Sequence, residues 1–425
     1  MFSIRRFSAC AYTVSTESRT QPLREHIRMG WRETTIAPSV PQEGGFALPL
    51  PFSVPCPGGG QFRTMYYWDT YFTNRGLILD GEITQARNNA ENLMHTVEKL
   101  GFIPNAMKPG MHRTQPPVAS HLYREVYERT QDKAWLRRAL AATEREYAFW
   151  HVCQQGPDGL FHTRPQCPPA ELWNFYWQVR DRVPGMPADP VDQLEFLRHQ
   201  MAEAAMGCDF TSRYGGRAGD FYPVLVNTLI YTMLRDAAWF CSELGDDGGR
   251  VRWIRRAEDL QQRIQGLLWN ESRGIFLDYD FVNRESASIA HAETFVPLWA
   301  GLANLEQSAR VRENLSLFER AHGVAACEEV PRDRIFQWDY PNAWPPITEF
   351  VFRGLARSGY LDDARRVARK YTTALEGHFA STGQLWEKYN AVTGELDVVD
   401  EYQMPPFIGW TAGVYLSASD FLNKP

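Results

Sequence analysis

Four stretches of this 425-residue sequence set carboxylates among aromatic rings and a fifth supplies polar partners, a combination suited to small polyhydroxylated ligands. The first is Pro57-Gly58-Gly59-Gly60-Gln61-Phe62-Arg63-Thr64-Met65-Tyr66-Tyr67-Trp68-Asp69-Thr70-Tyr71-Phe72. Its glycines invite a phosphate-loop reading, but no Lys-Ser/Thr follows and no strand precedes. A sugar fits better, because pyranose rings offer apolar C–H faces to indole and phenol rings while their hydroxyls need a carboxylate such as Asp69. An aromatic core plug with a solvated aspartate explains the same residues.

The second stretch, Ile103-Pro104-Asn105-Ala106 with His112-Arg113-Thr114-Gln115-Pro116-Pro117, supplies directional donors and acceptors from Asn105, Arg113 and Gln115 on a proline-stiffened loop. Ordinary loop composition would look alike. In the third, Gly207-Cys208-Asp209-Phe210, apolar neighbours on both sides of Asp209 would desolvate it, which suits a general acid, although a helix cap or an ion-paired aspartate reads equally well. The fourth, Gln337-Trp338-Asp339-Tyr340-Pro341-Asn342-Ala343-Trp344-Pro345-Pro346, repeats the theme around Asp339, and the fifth places Glu387 between Trp386 and Tyr389, with Glu401-Tyr402 beyond it. Five such loops on one chain are harder to dismiss than any one of them.

The elements that must position these loops are helical. Ile83, Ala86, Ala90, Leu93, Val97 and Leu100 step by three and four up to Gly101, a left-handed C-cap candidate. A helix over 118–129 follows, and Asp132 is an N-cap candidate for the next. Similar patterns predict helices over 193–205, 227–244, 251–268, 290–305, 309–318, 347–358, 361–377 and 410–422. The result is an all-α chain of nearly a dozen helices with few strands and long loops between them. A toroid of paired helices and a pile of bundles both satisfy that pattern.

Composition bounds the rest. With 45 Lys+Arg against 51 Asp+Glu, a net charge of −6 gives no pull toward nucleic acid or acidic lipid, and no apolar run approaches the roughly 20 residues that span a bilayer. The seven scattered cysteines contain no C-x-x-C and read as reduced thiols with no structural zinc; no cofactor or metal is called for. Arg5, Arg6 and Ser8 interrupt the apolar residues of the N-terminus before a secretory core can form, so the expectation is a cytoplasmic protein, with a basic, Ser-rich presequence as the alternative.

Taken together, these loops resemble the trehalases, inverting glycosidases of the (α/α)6-toroid group. The string from Gln337 to Pro346 is similar to the family's second signature throughout, and Pro57-Gly58-Gly59, Phe62, Tyr66, Trp68-Asp69 and Tyr71-Phe72 resemble its first. Weaker matches keep the family's order from about residue 48 to 417. The resemblance implies a six-hairpin toroid over 36–425 as one catalytic domain, with 1–35 as a peripheral or partly disordered extension. It implies Asp209 as general acid and Glu387 as general base, and sugar contacts from Phe62, Trp68, Asp69, Asn105, Arg113, Gln115, Trp338, Asp339, Trp344 and Glu401. Inversion requires the acid protonated and the base ionised, about 6.5–9.5 Å apart so that water fits between base and sugar.

The chain departs from the family at several points. The first signature has an Arg where Gln61 stands and a Glu where Thr64 stands, the Trp usual before the acid is Cys208, and only Arg182 answers to the family's Arg-Pro-Glu loop. An acidic segment, 393–400, replaces the glycine-rich lid before Glu401. The implied reaction is hydrolysis of a small α-glycoside, trehalose by default. The alternatives are another α-glucoside or α-mannoside such as glucosylglycerate or mannosylglycerate, or a sugar-binding relative without catalysis. An anionic leaving group would need a cation, for which Arg180, Arg182 and Lys388 are candidates. Oligomeric state has no signature here.

Overall fold

The computed structural model describes residues 16–38, 47–58, 62–108, 111–183, 185–331, 333–398, 402–406 and 408–424. Its helices are α1 (Thr16–Glu33), α2 (Tyr67–Leu79), α3 (Ile83–Leu100), α4 (Ala119–Thr130), α5 (Lys133–Cys153), α6 (Pro169–Val179), α7 (Pro190–Ala205), α8 (Val224–Leu244), α9 (Asp247–Leu267), α10 (Val296–Ala300), α11 (Leu305–Glu313), α12 (Pro345–Arg357), α13 (Leu361–Thr382) and α14 (Gly409–Asn423). The strands among the described residues are two-residue pairings at loop bases.

Six helices close an inner ring. α2 packs on α4, α4 on α8, α8 on α10, α10 on α12, α12 on α14, and α14 returns to α2. α3, α5, α9 and α13 lie outside, each against the inner helix before it in the chain or beside it, and α1 packs on α13. This is the (α/α)6 toroid, with α6 and α7 inserted between α5 and α8 and resting on a satellite core of Leu172, Phe175, Val179, Leu197, Met201 and Phe210. Outer helices are amphipathic because one side meets the ring and the other meets water: α3 buries Ala86, Ala90, Leu93 and Val97, and Gly101 caps it at φ +80°. Asp132 caps α5 by accepting from the Ala134 and Trp135 amides. The extension expected over 1–35 is described only from residue 16, and there Leu23, Ile27 and Trp31 of α1 are buried.

Two expectations differ from the structure, and two helices were not expected at all. Residues 67–72, read as part of a loop, begin α2, which is buried on nearly every side and therefore shows no helical period. α6 and α1 carried no clear pattern either. The single helix expected over 290–305 is a 3-10 turn (Ala292–Phe295) followed by the five-residue α10, because Pro297 sits in its first turn and Gly301, at φ +69°, ends it.

Ring closure depends on two glycines. A Cβ on Gly76 would lie 2.8 Å from the Gly413 Cα, and one on Gly413 only 2.0 Å from the Phe72 carbonyl oxygen. Gly413→Ala must push α14 off α2, and a loss of about 1–3 kcal/mol is expected in urea denaturation.

A second hinge of the ring is ionisable. Glu146 on α5 is buried and accepts from the Tyr67 hydroxyl, which in turn accepts from the Ala119 amide at 3.1 Å, so one chain of hydrogen bonds joins α5, α2 and α4. Burial pushes the Glu146 carboxyl up to about 8, with the Tyr67 hydrogen bond pulling partly back. The folded state therefore holds a proton that the unfolded chain releases near the ordinary carboxyl range. Its contribution is complete below that range and is lost as pH rises toward about 8. Stability should fall with a slope of up to about 1.4 kcal/mol per pH unit across that window, and Glu146→Gln should flatten it when urea midpoints are compared from pH 5 to 8.

Candidate active site

The N-terminal ends of α2, α12 and α14 share one cavity with residues of the loops 103–108, 111–117, 206–214 and 336–344. The cavity there is lined by Phe62, Trp68, Asp69, Asn105, Arg113, Gln115, Arg182, Asp209, Trp338, Trp344 and Glu387. All were singled out in the sequence, from loops more than 300 residues apart in the extreme case. The floor is indole: Trp338 stacks on Trp344 at 3.9 Å with planes 4° apart, and Trp68 and Trp410 meet them edge-on or tilted at about 6 Å.

Asp209 stands on a constrained turn. The residue before Cys208 is Gly207 at φ +80°, where a Cβ would press within 3.0 Å of Pro116 and Trp68, and the residue after Asp209 is Phe210 at φ +65°. A left-handed phenylalanine costs about 1–2 kcal/mol and persists because neighbours hold it. Gln337 Nε2 donates to the Asp209 carbonyl at 3.1 Å, and the Trp338 amide donates to the Phe210 carbonyl at 3.3 Å. The Asp209 carboxylate itself meets Arg182 at 3.3 Å.

Glu387 is held from three sides. The Lys388 amine lies 2.9 Å from Oε2, and the Tyr402 hydroxyl lies 2.7 and 2.6 Å from the two oxygens. Burial and the Glu387 charge keep the Tyr402 phenol well above its usual range, so it remains a donor. Lys388 is fully buried and sits over the rings of Trp344 and Tyr402 at 4.8 Å each. The backbone is fixed by Trp410 Nε1 donating to the Glu387 carbonyl at 3.3 Å and by pairing of Asn342–Ala343 with Tyr389–Asn390.

Asp69, in the first turn of α2, has no ion-pair partner among the described residues. Burial, with the charges of Glu387 and Asp209 nearby, pushes its carboxyl well above the usual range despite the helix N-terminus. The Asn105 side-chain oxygen and Gln337 Oε1 are buried without partners among the described residues. Together they offer unspent acceptors and donors around an aromatic floor, which is what a sugar requires.

One expected contact is placed elsewhere, and so is one of the aromatics beside Glu387. Asp339 points away from the cavity and accepts from Thr211 Oγ1 at 3.0 Å and from the Ser212 and Phe336 amides at 2.9 and 3.0 Å, so it ties loop 336–342 to the turn carrying Asp209. Trp386 also lies outside the lining, its indole donating to Thr382. An aspartate or glutamate beside a tryptophan reads the same whichever way it turns. Glu401 lies outside the described residues, and Arg180 stacks on exposed Trp177 away from the cavity. The lining also includes Lys108, Phe175, Gln178, Val179, Tyr402 and Trp410, which the sequence reading did not pick out as contacts. Tyr402 was adjacent to a candidate; Phe175, Gln178 and Val179 belong to α6, for which no pattern existed.

A buried cluster lies behind Asp209. Cys208, His291 and Glu293 bring possible ligand atoms within 4.8 Å of one another, but the Arg213 guanidinium already engages both Glu293 oxygens at 2.7 and 3.2 Å. That fork supplies the positive charge a metal would bring.

A family model described as trehalase matches residues 15–164 and 191–423. The periplasmic trehalase of Xanthomonas axonopodis pv. citri is 30% identical over 448 residues, covering 98% of this chain and 77% of that protein. The periplasmic trehalase of Xanthomonas campestris pv. campestris (strain B100) is 29% identical over 462 residues, covering 100% and 78%. Among solved structures, the neutral trehalase of Saccharomyces cerevisiae superposes with a TM-score of 0.74 at 27% identity, covering 88% of this chain and 74% of that one. A mannosylglycerate hydrolase from Thermus thermophilus shares the fold, with a TM-score of 0.66 at 17% identity over 94% of this chain and 98% of that one. The bacterial relatives are named periplasmic, which overturns the cytoplasmic expectation. Thiol state is a weak guide here because Cys56, Cys208, Cys241 and Cys327 are buried and form no disulfide among the described residues. No helix among the described residues is long and apolar enough to cross a membrane. The ring, the ordered loops and the match over most of its length agree: this chain is a glycoside hydrolase and belongs to the trehalase family.

Proposed function

We propose that the chain hydrolyses trehalose with inversion at the anomeric carbon, using Asp209 as general acid and Glu387 as general base. One observation carries this reading: the two carboxyls face one indole-floored cavity in opposite settings. Glu387 accepts from an ammonium and a phenol at once. Asp209 stands on a constrained turn, its carboxylate meeting the Arg182 guanidinium at 3.3 Å. A sugar seated on the Trp338 and Trp344 floor would place its glycosidic oxygen toward Asp209 and a water toward Glu387. The base then takes a proton from water as the acid gives one to the leaving oxygen. Asp69, Asn105 and Arg113 are positioned to bind hydroxyls of the retained ring.

Following the first minutes of trehalose hydrolysis by proton NMR tests both substrate and stereochemistry. One β-glucose and one α-glucose should appear per bond cleaved, before mutarotation evens them. Release of α-glucose alone, or no hydrolysis, would refute the reading.

A further inference from the structure

A second cavity, of about 330 Å³, lies between α4, α8 and the C-terminal ends of α10 and α12. Trp344 starts α12 in the wall of the catalytic cavity, and Arg357 ends the same helix in the wall of this one. Thirteen residues at 1.5 Å each put the two about 20 Å apart, so this cavity belongs to the other mouth of the ring. Rings packed edge to face fill the space between: Trp68 on Phe72 at 5.8 Å, Phe72 on Phe350 at 5.7 Å, and Phe350 on Trp299 at 5.0 Å.

The carboxylate in this wall is already engaged. The Asp236 side chain, 1% exposed, accepts from Ser120 Oγ at 3.1 Å and meets Arg124 at 3.3 Å and His121 Nδ1 at 3.4 Å. Arg124 also reaches Glu128 at 3.1 Å and lies over the Trp239 ring at 4.4 Å. Two further arginines stand outside that group. Arg235 makes no hydrogen bond or ion pair among the described residues, and Arg357 makes one hydrogen bond, to the Trp299 carbonyl at 3.3 Å. Every residue of α4, α8, α10 and α12 is described, and none of their carboxylates pairs with either guanidinium. Burial raises the Tyr231 phenol between them; the charges of Arg235 and Arg357 pull it back, and Glu258 of α9, which pairs with neither, opposes them. The Tyr231 hydroxyl has no hydrogen-bond partner among the described residues.

Helix ends attract cations, and the carbonyls at the end of α10 account for Arg357. They do not account for Arg235, which sits in the middle of α8, one turn beyond Tyr231 and on the same face. Solvent reaches both arginines, so the free protein tolerates them. Two guanidinium forks and a phenol from two helices around one space suit a phosphate, whose oxygens accept from several directions, better than a planar carboxylate. The volume is at the lower end of the roughly 300–1,000 Å³ of small-molecule sites, which limits whatever the phosphate carries to a small body.

We propose that this mouth of the ring binds a phosphate group, free or carried by a small ester, on Arg235, Arg357 and the Tyr231 hydroxyl, with Trp239 and Trp299 lining the space for the ester's body. The site is separate from the hydrolase reading and stands or falls without it.

Isothermal titration calorimetry of the full-length protein at low salt, with inorganic phosphate and with glucose 6-phosphate as probes, tests it. At least one probe should bind one to one, more weakly as sodium chloride is raised. Arg235→Met and Arg357→Met should each raise Kd about 10- to 100-fold, the scale of a charge-assisted contact, and Arg235→Lys should raise it less. Arg235 is exposed, so its variants should keep the wild-type denaturation midpoint and trehalose kcat/KM. Arg113→Met, in the catalytic cavity, should leave the affinity unchanged. Tighter binding of the ester supports a phosphorylated metabolite as the occupant, and equal affinities support the free ion. The proposal is overturned if neither probe binds, if both arginine variants bind as the wild type does, or if Arg113→Met abolishes binding and so moves it to the catalytic cavity.

Discussion

Replacing Asp209 with Asn should lower kcat/KM for trehalose by about 10²–10⁴-fold, and Glu387→Gln by a similar factor, with the circular-dichroism spectrum and denaturation midpoint close to wild type. Both substitutions are nearly isosteric, and neither residue anchors the fold. Asp209 is partly exposed on its turn, and the hydrogen bonds that hold that turn come from its carbonyl and its neighbours' backbone. Glu387 is embedded more deeply, and the carboxamide oxygen that replaces its carboxylate still accepts from the Lys388 amine or the Tyr402 hydroxyl, so the loss of stability is small against the loss of activity. The two roles separate with an activated substrate. α-Glucosyl fluoride leaves without a proton, so Asp209→Asn should recover most of its rate on the fluoride. Glu387→Gln should not, because the water still lacks a base. Recovery in both, or wild-type-like trehalose hydrolysis by either, would move the acid and base elsewhere in the cavity.

That separation matters because the sequence revealed the carboxylates more clearly than their orientations. Asp69, Asp209, Asp339 and Glu387 all sit beside aromatic residues, and three of them reach the cavity. Asp339 turns away from the cavity because it accepts from the Phe336 amide of its own loop and from the Thr211 hydroxyl and Ser212 amide, the latter two set by another loop over 100 residues away. No local pattern reports it. The same limit applies to helices. α3, α9 and α13 were legible because one face meets water, whereas α2 lies inside the ring where Tyr67, Trp68, Tyr71, Phe72, Leu77 and Ile78 are all buried and the period vanishes. The order of motifs identified the family, while side-chain direction needed the assembled loops.

Arg213→Met should be the most damaging of the substitutions away from the cavity, with a loss of about 3–5 kcal/mol in urea or thermal denaturation. The Arg213 side chain is 1% exposed and serves two carboxylates, Glu293 at 2.7 and 3.2 Å and Asp278 at 3.2 Å, themselves 1% and 4% exposed. Asp278 also accepts from the Val224 amide at 2.7 Å, at the start of α8, and Glu293 accepts from the Cys208 thiol at 2.9 Å. Burial and the Glu293 charge push that thiol well above its ordinary range, so it stays a donor. Removing the guanidinium leaves two buried carboxylates with neutral donors only, and both would be driven to take up protons. Their folded-state affinity for protons would then exceed that of the unfolded chain, so the variant's deficit should be smallest in mild acid and grow as pH rises. Arg213→Lys should rescue only part, because an ammonium cannot span both carboxylates as the fork does. A cost below about 1 kcal/mol, or one independent of pH, would mean that water already reaches this cluster. The effect should extend to catalysis below the melting range: Cys208 adjoins Asp209, so slackening the Glu293 contact loosens the turn that aims the acid, lowering kcat more than it raises KM.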